Sequence, residues 1–237
     1  MADVKKQNST LWIVGTPLSD EGKLSQSAID CIGTADLIVA ESKKVGFRYL
    51  KQTEFKDSTP LYFLDPERDQ VKKELFDKMK ELSTQGKQLV LFSDTGMPLL
   101  FDPGEEVLEH ARRLHYVIRS VPSATSWGSA CALSGWKPPF LVLGFLSREI
   151  PQRKQELSQL KGATQHIVLM DTPYRFEPLL DQVASVLGLD REAFLAWEIA
   201  KPEEKLIWGS IAHLQREAMK YSLKKGEFIL IIRGLSR

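Results

Sequence analysis

Gln88-Leu-Val-Leu-Phe-Ser-Asp-Thr-Gly-Met-Pro-Leu-Leu-Phe-Asp-Pro-Gly104 decides how this chain is read. Gln88–Phe92 is an apolar run without strict alternation, the pattern of a strand covered on both faces. A turn-rich loop follows, with Ser93, Asp94 and Thr95 as polar side chains and Gly96 free of a Cβ. Asp102-Pro-Gly104 then leads into a segment of helical period, with Pro103 suited to its first turn. Strand, loop and helix in that order form the repeating unit of an α/β protein, whose open sheets meet ligands at strand carboxyl ends. A plain capped connection has the same residues, and at this point both uses stand.

Outward from this stretch the alternation continues. Strands are expected at Leu11–Val14, Asp36–Ala40, Leu61–Phe63, Gln88–Phe92 and Tyr116–Val121, then at Phe140–Leu143, Gln165–Met170, Phe194–Ile199, Lys205–Trp208 and Glu227–Arg233. Helical period marks Ser25–Gly33, Pro66–Gln85, Asp102–Leu114, Ser123–Ser134, Pro151–Leu160, Phe176–Leu187 and Ile211–Tyr221. In the second of these, Val71, Leu75, Met79 and Leu82 share a stripe; in the sixth, Phe176, Leu179, Leu180, Val183 and Val186 face inward. The fold class is therefore α/β, with a mainly parallel first sheet. Only a short turn separates Phe194–Ile199 from Lys205–Trp208, too short for a helical crossover, so that pair is antiparallel and the second sheet is mixed. Two α/β domains are expected, 1–121 and 122–237, with residues 1–9 a disordered polar lead-in.

Bulk properties exclude more than they assign. The 237 residues suffice for two domains, and 43% hydrophobic with 27% charged side chains is ordinary for a water-soluble protein. A net charge of +1 argues against coating nucleic acid by bulk electrostatics, while leaving a local basic face open. Cys31 and Cys131 lie far apart without a CxxC, so no metal site is expected and both read as small packed thiols of a reducing compartment. No apolar run approaches the ~18 residues of a membrane span, and the first ten residues are too polar for a signal peptide, which makes the cytoplasm the expected location.

Several loops carry polar residues at strand ends. Gly15-Thr-Pro17 follows the first strand but lacks the further glycines of a dinucleotide fingerprint, and no P-loop occurs anywhere. Glu41 directly follows the second strand, with Lys43, Lys44 and Arg48 as a small basic cluster that meets an anion or simply solvent. Pro122-Ser-Ala-Thr-Ser126 joins the two halves. Met170-Asp-Thr-Pro-Tyr-Arg175 ends a strand and starts a helix; Tyr174 and Arg175 suit a substrate, whereas Asp171 and Thr172 suit capping.

Taken in order, these segments resemble the tetrapyrrole methylase family, the class III S-adenosylmethionine-dependent methyltransferases, and within it the branch that 2′-O-methylates small-subunit ribosomal RNA. Leu11-Trp-Ile-Val-Gly-Thr-Pro17 is similar to the family's opening strand and loop, and Ala35-Asp-Leu-Ile-Val-Ala-Glu41 to its second strand and acid. Ser93-Asp-Thr-Gly-Met-Pro-Leu99 with Asp102-Pro-Gly104 resembles its S-D-A-G-x-P and D-P-G. Gly144-Phe-Leu146, Asp171-Thr-Pro-Tyr-Arg175 and Lys225-Gly-Glu227 resemble its G-F-L, E-[ST]-x-[HY]-R and K-G-E. The departures lie in Leu18–Lys23, Ser42–Lys44 and Pro122–Ser126, loops that face the substrate more than the donor.

The resemblance implies two α/β domains with S-adenosylmethionine in a cleft between them, and a homodimer. It sets the donor against Gly15, Thr16, Pro17, Ser93, Asp94, Thr95, Gly96, Ala124, Thr125 and Met170, mainly through main-chain groups. Glu41 and Asp94 become the candidate bases, and Lys43, Arg48, Tyr174 and Arg175 the candidate contacts to a ribosomal RNA or small-subunit substrate. A small-molecule methyltransferase of the same fold and a non-catalytic donor-binding paralogue are the alternatives.

Overall fold

The computed structural model describes residues 7–19, 21–64 and 69–236. Residues 1–6 of the expected lead-in, Asp20 of the first loop and the expected helix start at 66–68 lie outside them. The chain divides into two compact units, one ending at Thr125 and one beginning at Ser126; the sequence places the division at 121/122.

The first unit runs β1 (Thr10–Val14), α1 (Gln26–Gly33), β2 (Leu37–Ala40), α2 (Lys43–Leu50), β3 (Leu61–Phe63), α3 (Asp69–Leu82), β4 (Gln88–Phe92), α4 (Glu105–Arg113) and β5 (Val117–Val121). Its strands lie in the order β3-β2-β4-β1-β5, every pair parallel. Alternate residues of one strand serve opposite faces. Leu37, Val39, Leu89 and Leu91 pack with Leu75 and Met79 of α3 and Val107 of α4. Ile38, Ala40, Val90 and Phe92 pack with Ala28 and Ile32 of α1 and Tyr49 of α2. Continuous apolar runs in β2 and β4 are what burial on both faces requires.

This strand order has a functional consequence. From β1 the chain passes through α1 to β2, beyond β4; from β4 it passes through α4 to β5, beyond β1. The neighbours β1 and β4 thus send their connections in opposite directions. That is a topological switch point, where open α/β sheets bind ligands at the carboxyl ends of the strands.

The second unit runs α5 (Ser126–Ser134), β6 (Phe140–Phe145), α6 (Ile150–Gln159), β7 (His166–Met170), a single 3-10 turn at Pro173–Arg175, α7 (Phe176–Leu187), β8 (Glu192–Trp197), β9 (Lys205–Ser210), α8 (Ile211–Lys220) and β10 (Phe228–Ile232). Its order is β6-β7-β10-β8-β9. Only β6 and β7 are parallel; β10 runs antiparallel to β7 and β8, and β8 to β9, so the sheet is mixed as expected. Leu157 of α6, Phe176, Leu179, Leu180 and Val183 of α7 and Leu214 of α8 cover one face. Ala130 and Trp127 of α5 pack on the other, against Val168, Phe194 and Ile231.

The structure corrects the sequence reading at five places. Residues 7–9 are bonded to the first unit rather than disordered: Gln7 makes an isolated bridge to Gln85, and the fully buried Ser9 donates to the Leu82 carbonyl at 2.6 Å. Lys43–Leu50 is a helix, capped by the Ser42 hydroxyl accepting from Val45 N–H. Pro103 precedes α4, whose N-cap is Gly104 at φ 123. The helix expected from Ser123 starts at Ser126, and the strand expected at Phe194–Ile199 ends at Trp197 because Glu198 turns to φ 49. Burial pushes the Cys31 thiol up to about 12 and raises that of Cys131, which suits packed, unreactive thiols. Among the described residues no helix is long and apolar enough to cross a membrane, and no group of three or more His, Cys, Asp or Glu could hold a metal ion.

Candidate active site

At the switch point, main-chain bonds tie the strand ends together. Gly15 N–H donates to the Val121 carbonyl and Thr16 N–H to the Gly96 carbonyl, each at 2.8 Å. The buried Thr16 hydroxyl lies 3.3 Å from the Ser93 carbonyl and 3.4 Å from that of Gly96. Ser123 donates to the Thr16 carbonyl at 2.6 Å, which draws the loop after β5 into the same set. A side chain at Gly15 would set its Cβ 2.4 Å from that of Ser123, so glycine is required for the close approach. Gly96 sits at φ 72, with the Ala124 carbonyl 3.3 Å from where its Cβ would be. Gly15, Thr16, Pro17, Ser93, Asp94, Thr95, Gly96, Ala124 and Thr125 therefore belong to loops at one end of one sheet. Met170 belongs to the second unit, at the carboxyl end of β7.

Thr16 and Ser93 are 0% and 2% exposed. Their hydroxyls hold the loops themselves: Ser93 donates to the Thr95 carbonyl at 3.2 Å. The main chain beside them is fixed as well: Gly96 N–H donates to the Pro17 carbonyl at 3.4 Å. Small residues and fixed main chain therefore shape this end of the sheet.

The two candidate bases are adjacent. Glu41 Oε2 accepts from Asp94 N–H at 2.9 Å. Asp94 Oδ1 in turn accepts from the Ser42 N–H (3.2 Å) and hydroxyl (3.0 Å), and the Tyr49 hydroxyl donates to the Asp94 carbonyl at 3.1 Å. Burial raises the Glu41 pKa; the hydrogen bond from Asp94 N–H opposes the rise, and the Asp94 charge adds to it. Asp102 completes the group. Burial first, then the charge of Glu41, push its carboxyl up to about 6 against the opposing Ser93 hydroxyl, with Asp94 and Glu105 adding to the rise. Sequence reasoning used Asp102 only as a helix leader. Its position in the same loop as Asp94, just beyond β4, was the available signal.

The expected basic contacts divide. Lys43 and Arg48 both lie on α2, Lys43 exposed with its ammonium 6.0 Å from the Phe63 ring centroid. Arg48 lies 5.0 Å from the Tyr49 ring centroid and donates to its hydroxyl at 3.4 Å. In the second unit, Arg175 is committed to the protein: its guanidinium is 3.3 Å from Asp171 Oδ1 and donates to the Ser147 carbonyl at 3.2 Å. Arg153, itself buried, approaches Asp171 Oδ2 at 3.8 Å and donates to the Ser147 carbonyl at 2.7 Å. Tyr174, next to Arg175 in the chain, is 69% exposed. Sequence reasoning missed Arg153, which nothing in its helical segment distinguishes.

Known proteins share this fold. The sequence profile described as Tetrapyrrole (Corrin/Porphyrin) Methylases matches residues 10–215. A ribosomal RNA small subunit methyltransferase I of Bacillus subtilis (strain 168) is 30% identical over 231 residues, 97% of this chain and 77% of that protein. A protein of the same name from Thermotoga maritima is 31% identical over 230 residues, 94% of this chain and 98% of that protein. Among solved structures, a cobalt precorrin-4 methyltransferase of cobalamin biosynthesis is similar in fold, with a TM-score of 0.66, 17% identity and 94% of each chain covered. A uroporphyrin-III-C-methyltransferase from Thermus thermophilus follows at a TM-score of 0.61 and 15% identity, covering 95% of this chain and 94% of that one. The profile match across both units, on a first sheet whose switch point is lined by the family's loops, makes this chain a member of the tetrapyrrole methylase family of S-adenosylmethionine-dependent methyltransferases.

Proposed function

We propose that this protein transfers a methyl group from S-adenosylmethionine to a ribose 2′-hydroxyl of small-subunit ribosomal RNA. One observation carries the donor half of this reading: the β1 and β4 carboxyl ends, fixed by Thr16, Ser93 and Gly96, bring small residues and rigid main chain together at a switch point. Gly15, Thr16, Pro17, Ser93, Asp94, Thr95, Gly96, Ala124 and Thr125 would hold the donor. The bound donor supplies a methyl carbon on a sulfonium leaving group, so the protein's task is mainly alignment. The RNA half is supported by the names of the relatives that cover almost the whole chain.

A ribose hydroxyl must lose a proton as it attacks. Glu41 is the better placed of the two candidate bases, because its raised pKa favours proton acceptance and, among the described residues, its Oε2 alone accepts a hydrogen bond, from Asp94 N–H. Asp94 serves by holding Ser42 and the start of α2. Lys43, Arg48 and Tyr174 are the RNA contacts in this reading, and Arg175 positions the loop that carries Tyr174. The assembly assigned is a homodimer, for which the family resemblance alone is the support, in the cytoplasm that the sequence composition suggests.

The test pairs calorimetry with S-adenosylmethionine and transfer of labelled methyl to undermethylated small ribosomal subunits. Label in the RNA at an alkali-resistant linkage is expected. Donor binding with no label in RNA would overturn the acceptor, and absence of any donor binding would overturn the whole reading.

A further inference from the structure

We propose that the rim of the second sheet at the carboxyl end of β7 is a docking surface for single-stranded RNA, with Tyr174 and Tyr221 as base-stacking faces and Lys225 and Lys205 as phosphate contacts. The inference rests on the ribosomal RNA reading above and deepens it.

Register brings these residues to one rim. Phe145 lies opposite Met170, Met170 opposite Ile229, Phe228 opposite Trp197 and Trp197 opposite Lys205. The loops after β6, β7 and β8 and the loop before β10 therefore emerge together. Tyr174 rises from the loop after β7, and Lys225, in the loop before β10, places its ammonium 4.3 Å from the Tyr174 ring centroid. The Gly226 N–H donates to the Pro173 carbonyl at 3.4 Å, so the two loops are tethered beside that pair. Asp171 with Arg153 and Arg175 anchors the base of the Tyr174 loop. The ring is exposed on a rigid footing, which limits the entropy lost on stacking.

Tyr221 repeats the arrangement. Lys205 at the start of β9 and Lys220 at the end of α8 set their ammoniums 4.7 and 5.0 Å from its ring centroid, and the ring is 44% exposed. Trp208, His213 and Glu217 line a cavity of about 390 Å³ with Lys205 and Tyr221. Room for one base beside a ring and a cation is the combination that binds unpaired nucleotides.

Charge bookkeeping narrows the partner. Glu198 and Glu227 hold Lys201, and Glu217 holds Lys220. Among the described residues Lys205 and Lys225 pair with no carboxylate. This is no broad positive field of the kind that grips duplex phosphates, in a chain whose net charge is +1. Two isolated ring-and-cation points suit splayed bases of a loop, since a base must leave its stack to meet a tyrosine.

The experiment measures methyl transfer to undermethylated small subunits by Tyr174→Leu, Tyr221→Leu, the double variant and Tyr174→Phe, with Lys205→Gln and Lys225→Gln assayed across salt. Each Tyr→Leu should raise KM for subunits about ten-fold and leave KM for S-adenosylmethionine unchanged, with Tyr174→Phe close to the parent. Each Lys→Gln should flatten the salt dependence by roughly one phosphate, a slope change of about 0.7. An unchanged subunit KM in the double variant would sink the docking rim while leaving the function standing, as would Tyr174→Phe losing as much as Tyr174→Leu. If the parent protein leaves the subunits unlabelled, the acceptor reading falls and this inference falls with it.

Discussion

The carboxyl end of β4 in the first unit and that of β7 in the second are both built around a loop aspartate, but the two are held by opposite means. Asp94 accepts from Ser42 and lends its own N–H to Glu41, so acids and hydroxyls fix the loop, with Thr16 and Ser93 turned inward. Asp171 is instead buried against Arg153 and Arg175, and the residue left exposed is Tyr174. One end is built of small residues and rigid, bonded main chain; the other leaves a large side chain exposed. A main-chain surface tolerates sequence change as long as backbone geometry holds, which suits a donor common to a family. A side-chain surface changes whenever its residues change, which suits an acceptor that differs between members.

The strongest way to break this comparison is at Arg153. Burial pushes the Asp171 carboxyl up, while the Thr172 N–H and the Arg153 charge oppose that rise. Arg153→Ala removes the buried counter-charge and two donors to the Ser147–Arg148 main chain. A loss of about 3 kcal/mol is expected, the scale for breaking one partner of a buried pair. Hydrogen exchange should show that loss in β6, β7 and α7 and leave β1–β5 protected as before. Equal loss of protection in both units would mean that the ion cluster is not a local anchor of the second one.

Next in size is Gly15→Ala. Its Cβ would meet Ser123 main chain at 2.7 Å as well as side chain, so the β1 and β5 loops must part. About 1–3 kcal/mol of stability should be lost, the range for overpacking. Donor affinity should fall at least ten-fold by calorimetry, because main-chain geometry is what this end offers. Retained affinity in a destabilised variant would show that the donor does not depend on that geometry, and the contrast between the two ends would then fail.

Much of this was legible in the sequence, for reasons that differ by element. β4 lies where its apolar run places it, since burial on both faces leaves no polar register to confuse. The short link before Lys205 announced an antiparallel pair, and the register bears it out. By contrast, α2 was illegible. Lys43 and Lys44 oppose the helix dipole in its first turn and Gly46 interrupts it, so tertiary burial of Tyr49 and Leu50 had to override local preference. Missing α2 also hid the Tyr49 bond to Asp94, because that contact exists only once the helix returns to the sheet. The loop glycines stood out in the sequence. The Asp171–Arg153 pair did not, since two distant segments meet only in the fold.

The smallest expected effect, at Asp102, sharpens the comparison through pH. The unfolded chain would release this proton near the ordinary 3.8, the folded protein at about 6. Between those values the folded state holds the extra proton, so raising the pH weakens it, and above about pH 6 the penalty is complete. Asp102→Asn carries no ionisable group and escapes the penalty. After discounting for a half-exposed position, the variant should gain on the order of 1 kcal/mol relative to the parent across that window, then run parallel above it. Urea unfolding of both proteins from acid to neutral pH reads the difference directly. A gap that stays constant with pH would mean that Asp102 ionises normally. The first unit's acids would then be solvated neighbours rather than a coupled group at the switch point, and the chemical contrast with the arginine-held end of β7 would rest on Glu41 and Asp94 alone.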